Sequence, residues 1–131
     1  MPKPIFVFGS NEAGIHGAGA ALTAYKTKGA RYCKSYGHYG DTFAIPIKDE
    51  NIWTMPLERI EQYVQGFLAY ATGHSKLVFH VTRIGCGLAG FKDSEMANLF
   101  AFAPKNCQFD EVWREYLGDD YTYWGTFTEA Q

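Results

Sequence analysis

Apolar and polar positions alternate in blocks along this chain, and the blocks predict a series of short strands and helices. Apolar runs at residues 5–8, 42–47 and 77–81 predict core strands, and residues 105–109 predict a further short strand. Apolar positions between residues 57 and 71 recur every three or four residues, which predicts an amphipathic helix that starts at Pro56 and ends at Gly73.

The remaining segments predict smaller elements around this frame. An alanine-rich run predicts a helix until Gly29, and residues 93–102 predict another, with Asp93 or Ser94 as its N-cap. Residues 110–117 predict a last helix. We expect residues 32–41 to be irregular or an edge strand, and residues 121–127 to form an edge strand or a lid. Strands that alternate with helices indicate an α/β fold with three layers, α/β/α.

Length and composition narrow the class of protein. A chain of 131 residues that is 47% hydrophobic is typical of one domain, 1–131. Twelve basic and fourteen acidic side chains give a net charge of −2, and no basic stripe indicates a nucleic-acid backbone or an anionic membrane as partner. We find no signal peptide and no apolar run near the roughly 20 residues that cross a bilayer, so we expect a cytoplasmic protein.

Cysteine and histidine spacing gives no sign of a metal or a disulfide framework. The three cysteines are odd in number and widely separated, which is typical of reduced thiols. There is no CxxC pair, and the four histidines show no ligand spacing. We therefore expect no metal and no cofactor.

Two glycine-rich segments follow predicted core strands. Residues 9–19 read GSNEAGIHGAG and lead into a helix, and residues 83–90 read RIGCGLAG after the strand that ends near Val81. Glycine loops at the carboxyl ends of strands, with a helix N-terminus beside them, present backbone N–H groups to anions such as phosphate. The alternative for either segment is a glycine turn that binds nothing.

Two familiar chemistries fit poorly. The GAGAAL stretch at residues 17–22 has two of the three glycines of a dinucleotide fingerprint, but it begins too far beyond the strand end. A Cys86 nucleophile would need His80 as its base, but two residues six positions apart, one on a strand and one on the loop after it, have no built-in reason to be in contact. We therefore predict that Cys86 is structural. Among the charged candidates Lys48, Asp49, Arg83 and Asp93, we favour Lys48, because it follows a core strand toward the same sheet edge as both glycine loops.

These segments resemble those of the macro domains, in the branch of terminal ADP-ribose glycohydrolases and of antitoxins that remove ADP-ribose from DNA. The late loop of that branch has the form P-R-I-G-C-G-L-x-G, and here residues 82–90 read TRIGCGLAG. Ser10-Asn11 and residues 17–20 (GAGA) are similar to the early loop, and residues 45–48 (IPIK) are similar to the strand end F-P-T-K. The resemblance covers residues 5–103. The chain is also similar to short uncharacterised bacteriophage proteins, which would place it in the host cytoplasm.

The resemblance implies a macro-like domain with a mixed central sheet and a cleft for ADP-ribose or a nucleotide derived from it, including signalling nucleotides. The early loop would hold the distal ribose and the diphosphate, and the late loop would close over the diphosphate. The implied ligand-binding residues are Gly9, Ser10, Asn11, Gly17, Ala18, Gly19, Ala20, Arg83, Gly85, Cys86, Gly87, Leu88, Ala89 and Gly90. Adenine would need an aromatic shelf, for which the candidates are Phe6, Phe91, Tyr121 and Trp124.

Three functions follow, and the sequence leaves all of them open. The first is a binding module without catalysis. The second is a glycohydrolase that removes ADP-ribose from DNA or protein with Lys48 as the catalytic group; nucleic acid would then be a partner only as an ADP-ribosylated substrate. Ala89 stands where these relatives often have an aspartate, so Asp49 or Asp93 would have to replace it. The third is a protein-interaction module that uses the aromatic C-terminal tail, residues 121–127.

Overall fold

The structure is a computed structural model that describes residues 3–128. Its strands are β1 (Ile5–Asn11), β2 (Gly37–Tyr39), β3 (Thr42–Lys48), β4 (Phe79–Val81), β5 (Cys107–Asp110) and β6 (Tyr123–Gly125). Its helices are α1 (Gly19–Thr27), α2 (Leu57–Gly73), α3 (Asp93–Asn98) and α4 (Arg114–Leu117), with a 3₁₀ helix (Glu111–Trp113) before α4.

The six strands form one mixed sheet in the order β2-β3-β1-β4-β5-β6. All neighbouring pairs are parallel except β2 with β3, so β2 is an antiparallel edge strand. The carboxyl ends of β1, β3, β4 and β5 therefore meet at one edge of the sheet. In parallel sheets this is the edge at which ligands bind.

Helices cover both faces of the sheet, which confirms the expected α/β fold with a mixed sheet. Along β1, Ile5 and Val7 belong to one core and Phe6 and Phe8 to another, since side chains alternate across a strand. The larger core includes the buried side of α2, which carries the predicted residues Ile60, Val64, Phe67, Leu68 and Ala71. The smaller core lies under α1. The sheet and the two helical sides fit the three-layer arrangement.

The C-terminal segment covers the part of the second face that α1 leaves open. β6 is an edge strand beside β5. Of the two expectations for residues 121–127, an edge strand or a lid, the edge strand is the one that the structure shows. The ring of Trp124 stacks on His80 of β4 with centroids 5.3 Å apart, and its Nε1 donates to the carbonyl of Val81 at 3.0 Å. Phe127 then meets Phe6 edge-on, with centroids 5.6 Å apart.

Several element boundaries differ from the prediction. β1 continues past Gly9 to Asn11 because it keeps pairing with β3, and a β-carbon on Gly9 would lie only 3.0 Å from Cδ1 of Ile47. α1 ends at Thr27, two residues early, and β4 is only three residues long. α3 ends at Asn98 and has Lys92 as its N-cap, so the expectation of Asp93 or Ser94 was wrong.

The last predicted helix is also shorter than expected. Asp110 belongs to β5, and its side chain accepts a hydrogen bond from Val112 N that caps the 3₁₀ helix. Within residues 3–128, no helix is both long enough and apolar enough to cross a membrane.

Candidate functional site

A cavity of about 540 Å³ lies at the carboxyl edge of β1, β3 and β4, within the roughly 300–1,000 Å³ that is typical of ligand pockets. Every ligand-binding residue named from the sequence lines it except Gly90, and Lys48 lines it too. The sequence did not point to seven further lining residues, which are Ile15, Ala21, Ile47, Ile52, Thr82, Ile84 and Phe127. Most of these adjoin predicted residues in the chain, but Phe127 is remote from all of them.

The early loop brings the N-terminus of α1 to this cavity. Ala18 is the N-cap and offers no side-chain hydrogen bond, and the first turn carries no acidic residue. Leu22 N is the first helical amide with a partner in the described chain, the carbonyl of Ala18. The N–H groups of Gly19, Ala20 and Ala21 are therefore without an acceptor within residues 3–128, and the positive end of the helix dipole is uncompensated.

The late loop supplies a second group of free amides. Within it, Gly90 N bonds to Gly87 O at 3.0 Å, and Phe91 N bonds to Gly85 O at 2.9 Å. The N–H groups of Gly87, Leu88 and Ala89 have no acceptor in the described part of the chain. A β-carbon on Gly87 would have no atom within 4 Å, so this backbone borders open space.

The early loop is held by contacts that leave little freedom to its polar side chains. The side-chain amide of Asn11 donates to Ile15 O at 2.8 Å and accepts from Ile15 N at 3.0 Å, so it is occupied in closing the loop. The hydroxyl of Ser10 donates to the carbonyl of Ser35. His16 is fully buried, and its Nε2 donates to the carbonyl of Arg31 at 2.7 Å.

Among the residues that the structure describes, the two charged side chains that line the cavity are cationic. Arg83 forms a bidentate pair with Asp93, at 2.8 and 2.6 Å, and Asp93 also accepts from Nε1 of Trp113 at 2.8 Å. These bonds, with that of Arg83 first, lower the pKa of Asp93 to about 2. Lys48 makes no ion pair with any residue that the structure describes. It is therefore the free positive charge at the cavity.

Cys86 has the environment of a structural thiol. Burial raises its pKa to about 12, and its Sγ lies 3.6 Å from the carbonyl oxygen of Ile84. His80 stacks on Trp124 on the second face of the sheet, and burial lowers its pKa. The structure records no hydrogen bond between Cys86 and His80 among the residues it describes, and a neutral thiol is a poor nucleophile.

The turn after β3 carries an exposed apolar edge of the cavity. Oδ1 of Asp49 accepts from Asn51 N at 2.8 Å and from Trp53 N at 3.0 Å, so this carboxylate organises the turn. Ile52 has φ of +66°, which is unusual for a β-branched residue, and it lines the cavity. Trp53 beside it is 72% exposed, and Leu88 on the late loop is 86% exposed.

The four aromatic residues named as candidates for an adenine shelf lie outside the cavity. None of Phe6, Phe91, Tyr121 and Trp124 lines the cavity, because all four pack into the protein's own cores or against its sheet. Among the described residues, Phe127 is the aromatic residue that lines it. Within residues 3–128, no group of three His, Cys, Asp or Glu side chains could hold a metal.

Comparison with known proteins adds evidence on the fold. No protein-family model matches the sequence, and a search among curated proteins finds no match. The fold is similar to that of a solved structure of a protein of unknown function from Bacteroides thetaiotaomicron, with a TM-score of 0.55 and 19% identity. The match covers 76% of this chain and 80% of that one, and at this identity it is evidence for the shared fold alone.

Proposed function

We propose that this protein binds ADP-ribose, or a nucleotide derived from it, in the cavity between the early and late glycine loops. Two sets of backbone N–H groups, at residues 19–21 and 87–89, carry the proposal. Both sets belong to residues that line one cavity, and neither has an acceptor among the described residues. A diphosphate needs several donors at close range, and backbone N–H groups supply them without side chains in the way. Each loop can serve one phosphate.

The charges and the aromatic residue at the cavity agree with the same ligand. Lys48 and the dipole of α1 favour an anion, and no Asp or Glu within residues 3–128 is among the lining residues. Phe127 provides a flat apolar surface on which a nucleobase could pack. The resemblance of both loops to those of macro domains supports a ligand that contains ADP-ribose.

Binding is favoured over hydrolysis because the cavity lining offers few side chains that could act as an acid or a base. No Asp, Glu or His belongs to it within residues 3–128, whereas removal of an ADP-ribosyl group calls for a positioned acid or base. Asp49 and Asp93, the two candidates to replace the relatives' aspartate, are occupied by the turn after β3 and by Arg83. A glycohydrolase would have to rely on Lys48.

The protein-interaction alternative finds less support in the C-terminal tail. Tyr121 donates to the carbonyl of Ala103 at 2.8 Å, and Tyr123 donates to that of Gly118 at 2.6 Å. With Trp124 stacked on the sheet, these aromatic side chains serve the protein's own packing.

Titration calorimetry tests the proposal. The protein is titrated with ADP-ribose, NAD and cyclic ADP-ribose isomers, with inorganic phosphate as the minimal anion. We expect saturable one-site binding of at least one nucleotide, and much weaker binding of phosphate. Absence of binding by every nucleotide at millimolar concentration would show that the proposal is wrong.

A further inference from the structure

The C-terminal tail is attached to the end of β5 through one buried carboxylate. Asp110 is fully buried, and in the β5–β6 pairing it lies opposite Gly125, the last residue of β6. Its Oδ2 accepts from the hydroxyl of Thr126 at 2.8 Å and from Phe127 N at 3.2 Å. The tail is therefore held at the first two residues beyond the sheet.

The two oxygens of this carboxylate have separate partners. Oδ1 accepts from Val112 N at 3.0 Å and caps the 3₁₀ helix, whereas both bonds to Oδ2 come from the tail. An Asn or Ser side chain would serve as well for the cap alone. A buried carboxylate is costly unless its oxygens are hydrogen-bonded. The hydrogen bonds that compensate Oδ2 of Asp110 therefore come from Thr126 and Phe127.

The attachment sets the position of one wall of the cavity. Phe127 lines the cavity and contacts Phe6 of the smaller core. Ala20 and Ala21, which carry two of the free amides of α1, line the same cavity and pack on the same core. The ring of Phe127 therefore borders the part of the cavity next to the N-terminus of α1.

We propose that Asp110 and Thr126 are positioning residues for ligand binding, which act by holding Phe127 as a wall of the cavity. This inference rests on the proposed function, since it concerns the same cavity. Neither Asp110 nor Thr126 lines the cavity, so their effect on a ligand is transmitted through Phe127. When the tail is released, the fraction of molecules with a complete cavity falls, and the apparent affinity falls by the same factor.

The test uses Thr126, because it is exposed and its hydroxyl can be removed without disturbing a core. Thr126→Val keeps the branched shape and deletes the bond to Asp110, while Thr126→Ser keeps the hydroxyl. Thr122→Val is the matched control, since Thr122 is an exposed residue of the same tail whose side chain makes no hydrogen bond within residues 3–128. ADP-ribose affinity is measured by calorimetry, thermal stability by calorimetric unfolding, and exchange of the Phe127 amide by NMR.

We expect Thr126→Val to weaken ADP-ribose binding about tenfold, the effect of losing one hydrogen bond to a charged group. The Phe127 amide should exchange faster, and the unfolding temperature should fall by no more than a few degrees, as one lost hydrogen bond predicts. Thr126→Ser and Thr122→Val should bind like the natural protein. Asp110→Asn keeps one oxygen for the cap but replaces the acceptor of Thr126 and Phe127 N with an NH₂ donor, so it should weaken binding and also lower thermal stability.

Each other outcome counts against a specific claim. If the natural protein binds ADP-ribose and Thr126→Val binds it equally well, the positioning role is wrong and the proposed function stands. If Thr126→Ser or Thr122→Val loses affinity as well, the hydroxyl is not responsible and the positioning role is again wrong. If the natural protein binds no nucleotide, the proposed function fails and this inference fails with it.

Discussion

Replacement of Gly87 by Val separates the ligand-binding role of the late loop from its role in folding. Gly87 has no positive φ, and a β-carbon there would meet no atom within 4 Å. The substitution is therefore neither strained nor crowded in the free protein, and its cost to stability should stay within about 0.5 kcal/mol. In the bound protein, the branched side chain would occupy the space through which a phosphate approaches the amides of residues 87–89.

The expected loss of affinity follows from the hydrogen bonds that the ligand would forfeit. A bond from a backbone N–H to a charged acceptor contributes ~1.5–3 kcal/mol. Loss of one such bond raises the dissociation constant about 10- to 150-fold. We expect this change for ADP-ribose by titration calorimetry, with an unfolding temperature close to that of the natural protein.

Gly73→Val is the matched control for this experiment. Gly73 also has open space around its β-carbon, but it ends α2 and is not part of the cavity lining. The control should bind ADP-ribose normally. Normal binding by Gly87→Val, or an equal loss in Gly73→Val, would refute the reasoning that connects the open backbone of Gly87 to the ligand.

Three further predictions follow from the side chains near the cavity. Cys86→Ala should keep nearly all affinity by calorimetry because the thiol, with a pKa of about 12, is neutral at physiological pH; a large loss would reinstate the cysteine as a functional group. Lys48→Ala should weaken ADP-ribose binding about tenfold through loss of a cation, whereas the exposed control Lys76→Ala should not; turnover of ADP-ribosylated DNA or protein that disappears in Lys48→Ala would instead make the protein a glycohydrolase. The ionised Asp93 should stabilise the fold fully above pH 3.8 and lose this effect as the pH falls through about 2. Asp93→Asn should therefore unfold at a lower urea concentration than the natural protein at pH 6, and its stability should fall less between pH 4 and pH 2. The same acid dependence of stability in both proteins would contradict this prediction.

The elements that rest on a repeating pattern could be predicted from the sequence. The spacing of apolar residues in α2 identified its buried side because packing against the sheet leaves no other face for them. The strands that begin at Ile5 and Thr42 were visible as apolar runs for the same reason. The glycines that follow the apolar runs ending near Phe8 and Val81 were enough to predict that both loops lie at one edge of the sheet.

Contacts between distant parts of the chain could not be predicted in this way. The sequence around Asp93 is typical of a helix N-cap, but in the structure Arg83 and Trp113 donate hydrogen bonds to its carboxylate. These partners are identified only when the fold is known. Asn11 resembles a ligand-contacting residue, yet its amide closes its own loop. Phe127 reaches the cavity because Asp110 holds the tail, and no local pattern indicates that attachment.

The most direct test of the account is a titration of ¹⁵N-labelled protein with ADP-ribose, followed by the backbone amide signals. If both loops form one ADP-ribose site, the amides of residues 19–21 and 87–89 shift together and saturate at one ligand per chain, because both groups donate to the diphosphate. The amide of Gly73, at the end of α2, should stay unchanged. Saturating ADP-ribose that leaves either loop unperturbed would contradict the claim that both loops form one binding site.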